Sequence, residues 1–253
     1  MTNVGVYRMR TLLTGIVCIF LLSILQPIES NAAKGRREFE QTGNVIWDIP
    51  TSKKIVAITF DDGPHAVYTP EILSILEEYN AKATFFVVGS RVKNYKSIVR
   101  REVGAGHEVE NHTFTHHSLS GMNSKEVQEE IQKAHQTITS ITNQRPTFFR
   151  PVGGLYNDTV VDAAVDEGYR VILWSWHQDS KDWQQPGVDK IVQNVLSGVR
   201  PGDVVLFHDA GGNRTQTIKA LPIILSHLQQ QGYKFVTVSQ LLQQTGHDKI
   251  PSF

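Results

Sequence analysis

The sequence has almost no cysteine and no excess of charge of either sign. Its single cysteine, Cys18, lies in an N-terminal apolar stretch, so a mature chain without that stretch has no disulfides, thiolate chemistry or cysteine metal ligands. Lys and Arg total 25, as do Asp and Glu, which argues against electrostatic capture of nucleic acid or anionic membrane. With 253 residues, 40% of them hydrophobic, the chain is long enough for one globular domain with its own core.

The first 33 residues are predicted to be a secretory signal rather than part of the fold. Arg8 and Arg10 precede an apolar run at 11–25 that is too short for a comfortable membrane span, and Pro27 ends it. Small residues at 30–33 predict cleavage after Ala32 or Ala33, with a retained membrane anchor as the alternative. After cleavage, we expect a secreted or cell-wall protein with no stable membrane partner.

From residue 55 onward, strand-like and helix-like segments alternate, and no Gly-x-Gly-x-x-Gly motif follows the first strand. Such alternation predicts an α/β fold with parallel strands, because each crossover helix returns the chain to the same end of the sheet. The choice is between a closed (β/α) barrel, which would use this length as a single domain, and an open doubly wound sheet. The predicted strands are 55–60, 83–88, 107–110, 147–150, 170–174, 203–207 and 234–238, and the predicted helices are 69–79, 97–103, 124–141, 158–167, 188–196, 215–231 and 239–244.

Polar residues collect just past the carboxyl ends of these strands, which share one rim in a parallel barrel. Two histidines four residues apart, with a carboxylate from a neighbouring loop, suit one metal ion with an open coordination position. Spacing alone does not say which aspartate of the pair at 61–62 binds the metal and which moves a proton. The residues after the strands are Asp61 and Asp62, His112 and His116, Arg150, Asp179 and Asp182, and His208 and Asp209.

In these residues the chain resembles the polysaccharide deacetylases of carbohydrate esterase family four. Five motifs of that family occur in order over roughly residues 50–245, at 59–64, 112–116, 150–154, 179–183 and 206–208. The resemblance implies a distorted (β/α) barrel of about seven strands. Together with the signal pattern, this predicts a signal at 1–33, an extended leader at 34–50 packed outside the barrel, a catalytic domain at 51–245 and a tail at 246–253.

The resemblance also implies a role for each site residue. Asp61 would be the general base, held by Arg150, and His208 the acid that protonates the leaving amine, supported by Asp179. The metal ligands would be Asp62, His112 and His116, with the adjacent His117 as the nearest rival to His116. The implied metal is one divalent ion, zinc first, with cobalt, nickel or manganese as alternatives. The expected substrate contacts are the backbone N–H of Gly153 and the side chains of Trp183 and Leu206. Asp182 and Asp209 are expected to bond to loop backbone.

One motif departs from the family pattern, which reads Arg-Pro-Pro, an aromatic residue and Gly. Here Val152 and Gly153 stand in the third and fourth places, so one wall of the cleft is expected to be open. The implied reaction is removal of N-acetyl groups from an N-acetylglucosamine polymer by a protein expected to be monomeric. Peptidoglycan is the first candidate and chitin oligomers the second. The alternatives are an O-acetyl esterase acting on xylan and a silent wall-binding or spore-coat protein.

Overall fold

Residues 34–247 form one compact unit in a computed structural model, which describes these residues and Met1. The predicted signal, apart from Met1, and the predicted tail beyond residue 247 lie outside the described residues. The strands are β1 (Val45–Ile46), β2 (Ile55–Asp61), β3 (Thr84–Val87), β4 (Glu108–Asn111), β5 (Phe148–Phe149), β6 (Arg170–Ile172), β7 (Val204–His208) and β8 (Lys234–Val236). The helices are α1 (Arg36–Thr42), α2 (Tyr68–Glu78), α3 (Gly89–Asn94), α4 (Lys96–Gly104), α5 (Ser124–Thr142), α6 (Asp158–Asp166), α7 (Val188–Leu196), α8 (Thr215–Gln230) and α9 (Val238–Thr245).

Each of the seven predicted strands corresponds to one of β2 to β8, and the predicted parallel α/β architecture is confirmed. The sequence did not predict β1, α1 or α3. These elements have two, seven and six residues, too few for hydrophobic periodicity to be recognised. Within the described residues, no helix is both long enough and apolar enough to span a membrane.

The strands form one parallel sheet in the order β1-β6-β5-β4-β3-β2-β7, and β8 pairs with the start of β2. The central strand β2 pairs with β3 on one side and β7 on the other, which sets Asp61 opposite both Phe86 and His208. Asp61, the predicted base, and His208, the predicted acid, are therefore direct neighbours on adjacent strands.

The barrel closes irregularly between β1 and β7. A single antiparallel bridge joins Asp48 to Asp203, and the N–H of Ile49 donates to the carbonyl of Gly202 at 3.0 Å. A Cβ on Gly202 would lie 1.9 Å from the Ile49 carbonyl oxygen, so only glycine allows this approach. A second bridge, parallel, joins Asp179 to Leu206. This seam is what distorts the barrel.

Side chains on β2 alternate between two cores. Val56, Ile58 and Phe60 face outward into a cluster with α2 and α8, whereas Ala57 faces inward with Phe86. The inward side continues with Thr59 and Asp61, which are polar and buried. The barrel interior is thus apolar at the amino end of β2 and becomes polar towards its carboxyl end, where the predicted site lies.

The segment predicted as an outer leader contributes to the barrel itself. Within it, β1 pairs with β6, and Ile46 and Ile49 belong to the inner apolar cluster. Trp47 is buried and makes an edge-to-face contact with Tyr156, with ring centroids 5.0 Å apart. Residues 45–49 are therefore part of the fold, because they cover the edge of the sheet beside β6.

Replacing Trp47 with Ala should lower the free energy of unfolding by about 3–5 kcal/mol, the usual cost of truncating a buried large aromatic residue. Trp176 is a matched control because it is 82% exposed, and its replacement should change stability by less than about 0.5 kcal/mol. Urea denaturation followed by circular dichroism measures both. Equal effects of the two substitutions would show that residues 45–49 do not stabilise the barrel.

Candidate active site

Asp61 ends β2 and is fixed by Arg150, the residue after β5. The guanidinium Nη1 lies 2.7 Å from Asp61 Oδ1 and 2.8 Å from Thr59 Oγ1. Its Nε and Nη2 donate to the carbonyls of Ile172 and Leu173, and its carbon lies 4.0 Å from the centre of the Phe86 ring. Arg150 is fully buried, so a buried charge paired with Asp61 and held by three further hydrogen bonds fixes one oxygen of that carboxylate.

Asp62, His112 and His116 form the cluster that could hold a cation among residues 34–247. Their ligand atoms all lie within 4.8 Å of one another. His116 Nε2 is 2.8 Å and His112 Nε2 is 3.5 Å from Asp62 Oδ1. Burial alone would raise the pKa of Asp62, but hydrogen bonds from the two imidazoles hold it far below its ordinary range. One carboxylate and two imidazoles are a donor set that suits zinc, so the residues present fit the implied metal.

The tautomer of His112 is fixed by the backbone of Arg150. His112 Nδ1 lies 2.6 Å from the Arg150 carbonyl oxygen, which can only accept a hydrogen bond, so Nδ1 carries the proton. In the neutral ring, Nε2 then carries the lone pair that can bind a metal in place of its contact with Asp62, as in many metal sites where the second ring nitrogen donates to a carbonyl. Arg150 thus orients Asp61 through its side chain and His112 through its main chain.

The two loops that carry the candidate cation ligands contain strained backbone. Asp62, Thr113 and His116 have φ of 76°, 68° and 63°, which costs on the order of 1–3 kcal/mol for each residue that is not glycine. Asn111 Oδ1 accepts from the N–H of Thr113, and Thr113 Oγ1 accepts from the N–H of His116. These bonds hold a loop that directs both imidazoles to one point without a helix. The neighbouring His117 is exposed and lies outside the cluster.

His208 bonds to Asp182, and the prediction that Asp179 supports it is wrong. His208 Nδ1 is 2.7 Å from Asp182 Oδ1, and the His208 N–H donates to Asp182 Oδ2. A short 3-10 turn at Asp182–Gln184 places Asp182 beside the end of β7, where it is buried. Asp179 instead lies opposite Leu206, two residues before His208 on β7. Burial lowers the pKa of His208, but the Asp182 hydrogen bond and charge outweigh it and raise that pKa to about 8.

Asp209 is a buried carboxyl whose hydrogen-bond partner was predicted wrongly from the sequence. Its side chain accepts from the hydroxyl of Thr69 rather than from loop backbone, and its own N–H donates to the carbonyl of Asp61. Burial raises the pKa of Asp209 to about 7, with Asp62 and Asp61 adding to the shift. A Cβ on Gly63 would lie 2.2 Å from Asp209 Oδ2, so glycine after the aspartate pair permits this packing. No spacing rule links Thr69 to Asp209.

The predicted substrate contacts lie on segments that also carry residues of this centre. Trp183 follows Asp182 and is 51% exposed, and Leu206 lies two residues before His208 on the same side of β7. Gly153 is exposed, with φ of 63°, and an added Cβ there would meet nothing within 4 Å. By contrast, a Cβ on Gly154 would lie 2.5 Å from the ring of Trp174. The missing aromatic residue thus leaves open space at Gly153.

Several known proteins are similar to this chain in sequence. The family profile described as polysaccharide deacetylase matches residues 48–172. A peptidoglycan-N-acetylglucosamine deacetylase from Bacillus cereus is 45% identical over 82% of this chain and 97% of its own length. A chitooligosaccharide deacetylase from Bradyrhizobium is 38% identical over 74% of this chain and 90% of its own length. The chain therefore belongs to the polysaccharide deacetylase family.

Solved structures that resemble this one belong to the same family and include both a deacetylase and a pseudoenzyme. The Bc1960 peptidoglycan N-acetylglucosamine deacetylase superposes with a TM-score of 0.78 at 32% identity, over 82% of this chain and 96% of that one. BA3943 from Bacillus anthracis, described as a pseudoenzyme of the same family, superposes with a TM-score of 0.72 at 34% identity, over 78% of this chain and 68% of that one. Similarity of fold alone therefore does not guarantee catalysis, and the site geometry has to carry the argument.

Replacing Asp182 with Asn should lower the pKa of His208 by about 1–3 units, because the opposite charge that favours the imidazolium is lost while burial remains. His208 is protonated below a pKa of about 8 and loses its proton as the pH rises through that value. NMR titration of the His208 ring measures the change. Asp179→Asn is the control and should leave this pKa in place, so a shift in the control variant alone would contradict the assignment to Asp182.

Replacing His116 with Ala should weaken binding of a divalent ion by more than the roughly 10–100-fold loss that follows removal of an outer partner of a metal ligand. Calorimetric titration with Zn²⁺ measures the affinity, and His117→Ala is the matched control. If His117→Ala reduced the affinity and His116→Ala did not, the assignment of the cluster would be wrong.

Proposed function

We propose that this protein is a metal-dependent hydrolase that removes N-acetyl groups from N-acetylglucosamine residues of a cell-wall polysaccharide. Peptidoglycan is the first candidate substrate and chitin oligomers the second. One observation carries the proposal: Asp61 and His208 are direct partners on adjacent strands, and the Asp62, His112 and His116 cluster lies beside them. A base, an acid and a cation site within one rim are what hydrolysis of an unactivated amide requires.

Asp61 is the group that takes a proton from the attacking water. Its Oδ1 is occupied by Arg150 at 2.7 Å, so Oδ2 is the oxygen left to accept that proton. The fixed guanidinium prevents rotation of the carboxylate. Asp62, His112 and His116 would hold a divalent cation, which would supply Lewis-acid polarisation and a lowered pKa of water when bound.

His208 is the group that gives a proton to the leaving nitrogen. Asp182 accepts from Nδ1, so Nε2 faces away from that bond and carries the proton that the amine requires. With a pKa of about 8, His208 is protonated at neutral pH. The N–H of Gly153 is proposed to stabilise the oxyanion, and Trp183 and Leu206 to enclose the acetyl methyl group.

Zinc is the proposed metal because two imidazoles and a carboxylate suit it, with cobalt, nickel or manganese as alternatives. The names of the relatives support an N-acetylglucosamine polymer as the substrate. An O-acetyl esterase acting on xylan would use the same groups. A silent binding protein is the other alternative, and it is disfavoured because the base, the acid, their partners and the three candidate ligands are all present and in contact.

Purified protein with zinc should release acetate from N-acetylglucosamine oligomers and leave free amines on the products. A chelator should abolish release, and added Zn²⁺ should restore it. Mass spectrometry of oligomers from peptidoglycan and chitin identifies the products, and acetylated xylan tests the esterase. Acetate release from xylan without amine formation would replace the proposed function by the esterase, and absence of a bound stoichiometric metal would favour the silent protein.

Replacing Asp61 with Asn should reduce kcat by about 10²–10⁴-fold, the usual contribution of a general base, while zinc binding persists. Metal content is measured on the same sample, because loss of the metal would give the same kinetic result for a different reason. Wild-type rates in this variant would refute the assignment of Asp61 as the base.

Export to the cell wall is part of the proposal, because the sequence up to Ala33 has the pattern of a secretory signal. N-terminal sequencing of protein from the cell wall or medium should find a start at Ala33 or Lys34. A mature N-terminus upstream of Arg8 in a membrane fraction would indicate the retained anchor.

Gel filtration of the mature chain tests the proposed monomer. The division of the chain into a catalytic domain at 51–245 and a tail at 246–253 remains a prediction.

A further inference from the structure

The two oxygens of the buried Asp182 carboxylate have different partners. Oδ1 lies 2.7 Å from Nδ1 of the His208 ring. Oδ2 accepts a hydrogen bond from the main-chain N–H of His208 at 2.9 Å and another from the hydroxyl of Thr217 at 2.8 Å. Asp182 and Thr217 are both 1% exposed, so solvent does not share in these contacts. One oxygen therefore anchors the carboxylate, and the other orients the ring.

Thr217 reaches Asp182 from a firmly packed outer helix. It is the third residue of α8, and Ala220, Leu221 and Ile224 on the following turns belong to the apolar cluster outside the barrel. The N–H groups in the first turn of a helix have no partner within the helix and carry partial positive charge, so this end of α8 also favours a carboxylate. The position of the Thr217 hydroxyl is therefore set by packing outside the barrel.

The main chain around Asp182 is held by other residues. Arg214 Nη1 donates to the Asp182 carbonyl at 3.3 Å, and Asn194 Nδ2 donates to the Ser180 carbonyl at 2.9 Å. These bonds place the turn, but they do not restrict rotation of the Asp182 side chain. Within residues 34–247, the donors to its carboxylate belong to His208 and Thr217, so these two residues set its direction.

Two donors on Oδ2 make Oδ1 a fixed partner for the ring. A carboxylate held by one donor can pivot about that bond, which would move Oδ1 out of line with Nδ1 and weaken a bond that depends on its angle. The N–H of His208 on β7 and the hydroxyl of Thr217 on α8 belong to different elements, so together they prevent the pivot. The direction of the His208 ring, and hence of Nε2, then depends on Thr217.

The charges around His208 do not depend on Thr217. The carboxylates that face His208 are Asp182 from the 3-10 turn, Asp61 from β2 and Asp62 after it. Arg214 meets Asp182 at its main-chain carbonyl. Valine has the branched shape of threonine without the hydroxyl, so Thr217→Val leaves each of these charges in place. A changed proton affinity of His208 in this variant therefore reports the direction of the Asp182 carboxylate.

Resting on the proposed function, we propose that Thr217 is a positioning residue of the reaction, because its hydroxyl holds Oδ2 of Asp182 and so keeps Oδ1 in line with Nδ1 of His208. Thr217 is buried and acts through Asp182 rather than on the substrate. The direction in which the acid presents its proton is then set partly by α8, outside the barrel.

Thr217→Val in the zinc-loaded mature protein tests this role with an N-acetylglucosamine tetramer as substrate. Its kcat should fall about 3–10-fold, less than the full contribution of a general acid, while KM changes by less than about 2-fold. The alkaline limb of kcat should move about 0.5–1 unit to lower pH, because burial of His208 remains and Asp182 supports the imidazolium less. Thr217→Ser keeps the hydroxyl and should behave as wild type.

Thr84→Val is the matched control. Thr84 is also buried, and its hydroxyl donates at 2.7 Å to Oε2 of Glu108, a carboxylate with no part in the proposed mechanism. Its replacement removes the same kind of hydrogen bond and should leave kcat and the alkaline limb as in wild type. Urea denaturation of both variants separates a loss of stability from a kinetic effect. If Thr217→Val does not fold, Thr217→Ala carries the same expectations.

A double variant tests whether Thr217 acts through Asp182. In the Asp182→Ala background, Thr217→Val should have no further effect on kcat, and a loss of full size there would overturn the inference. Equal losses in Thr217→Val and Thr217→Ser would also overturn it, since packing rather than the hydroxyl would be responsible. An alkaline limb that moves to higher pH would do the same, because the hydroxyl would then only disperse the charge of Asp182.

Failure of the inference is distinguishable from failure of the proposed function. If wild-type protein with zinc releases acetate and Thr217→Val matches it in kcat, only the inference fails. If wild-type protein releases none, NMR titration of the His208 ring in both proteins still tests the contact, and a lower pKa of His208 in Thr217→Val supports it. An unchanged pKa would then reject the role of Thr217.

Discussion

The buried guanidinium of Arg150 is the interaction on which the site depends. Its side chain holds Asp61, and its main-chain carbonyl sets the tautomer of His112. The Arg150 side chain is not exposed to solvent. Its charge therefore has to be compensated by Asp61 and by the carbonyls of Ile172 and Leu173. One residue therefore ties the base, the cation site and β6 into a single arrangement, and removal of any partner would leave a buried charge without compensation.

The second constraint is the irregular seam between β1 and β7. A regular barrel would continue the ladder there, but single bridges at Asp48 and Asp179 replace it. The chain that leaves β6 can then turn at Asp182–Gln184 and bring Asp182 to His208. The distortion therefore places two carboxylates that are three residues apart in different positions: Asp182 is buried against His208, and Asp179 is partly exposed opposite Leu206.

Similarity to a pseudoenzyme makes the contacts more informative than the motifs. A fold can survive without activity, but a buried base, a raised pKa at His208 and strained ligand loops have no evident use in a protein that only binds. The open space at Gly153 alters the cleft wall and leaves these contacts intact. This departure from the family motif therefore concerns which substrates enter rather than the groups that would act on them.

The sequence by itself determined the parallel α/β architecture, because long strands and helices have clear periodicity and each crossover requires a parallel return. It also determined which residues end each strand, and hence the rim that holds Asp61, Asp62, His112, His116 and His208. The short elements β1, α1 and α3 were not predicted, because they are defined by their neighbours rather than by their own pattern. Only the tertiary structure decided between Asp179 and Asp182 and paired Asp209 with Thr69. Spacing along a chain does not specify how a turn rotates, and a one-turn difference moves a carboxylate from one partner to another.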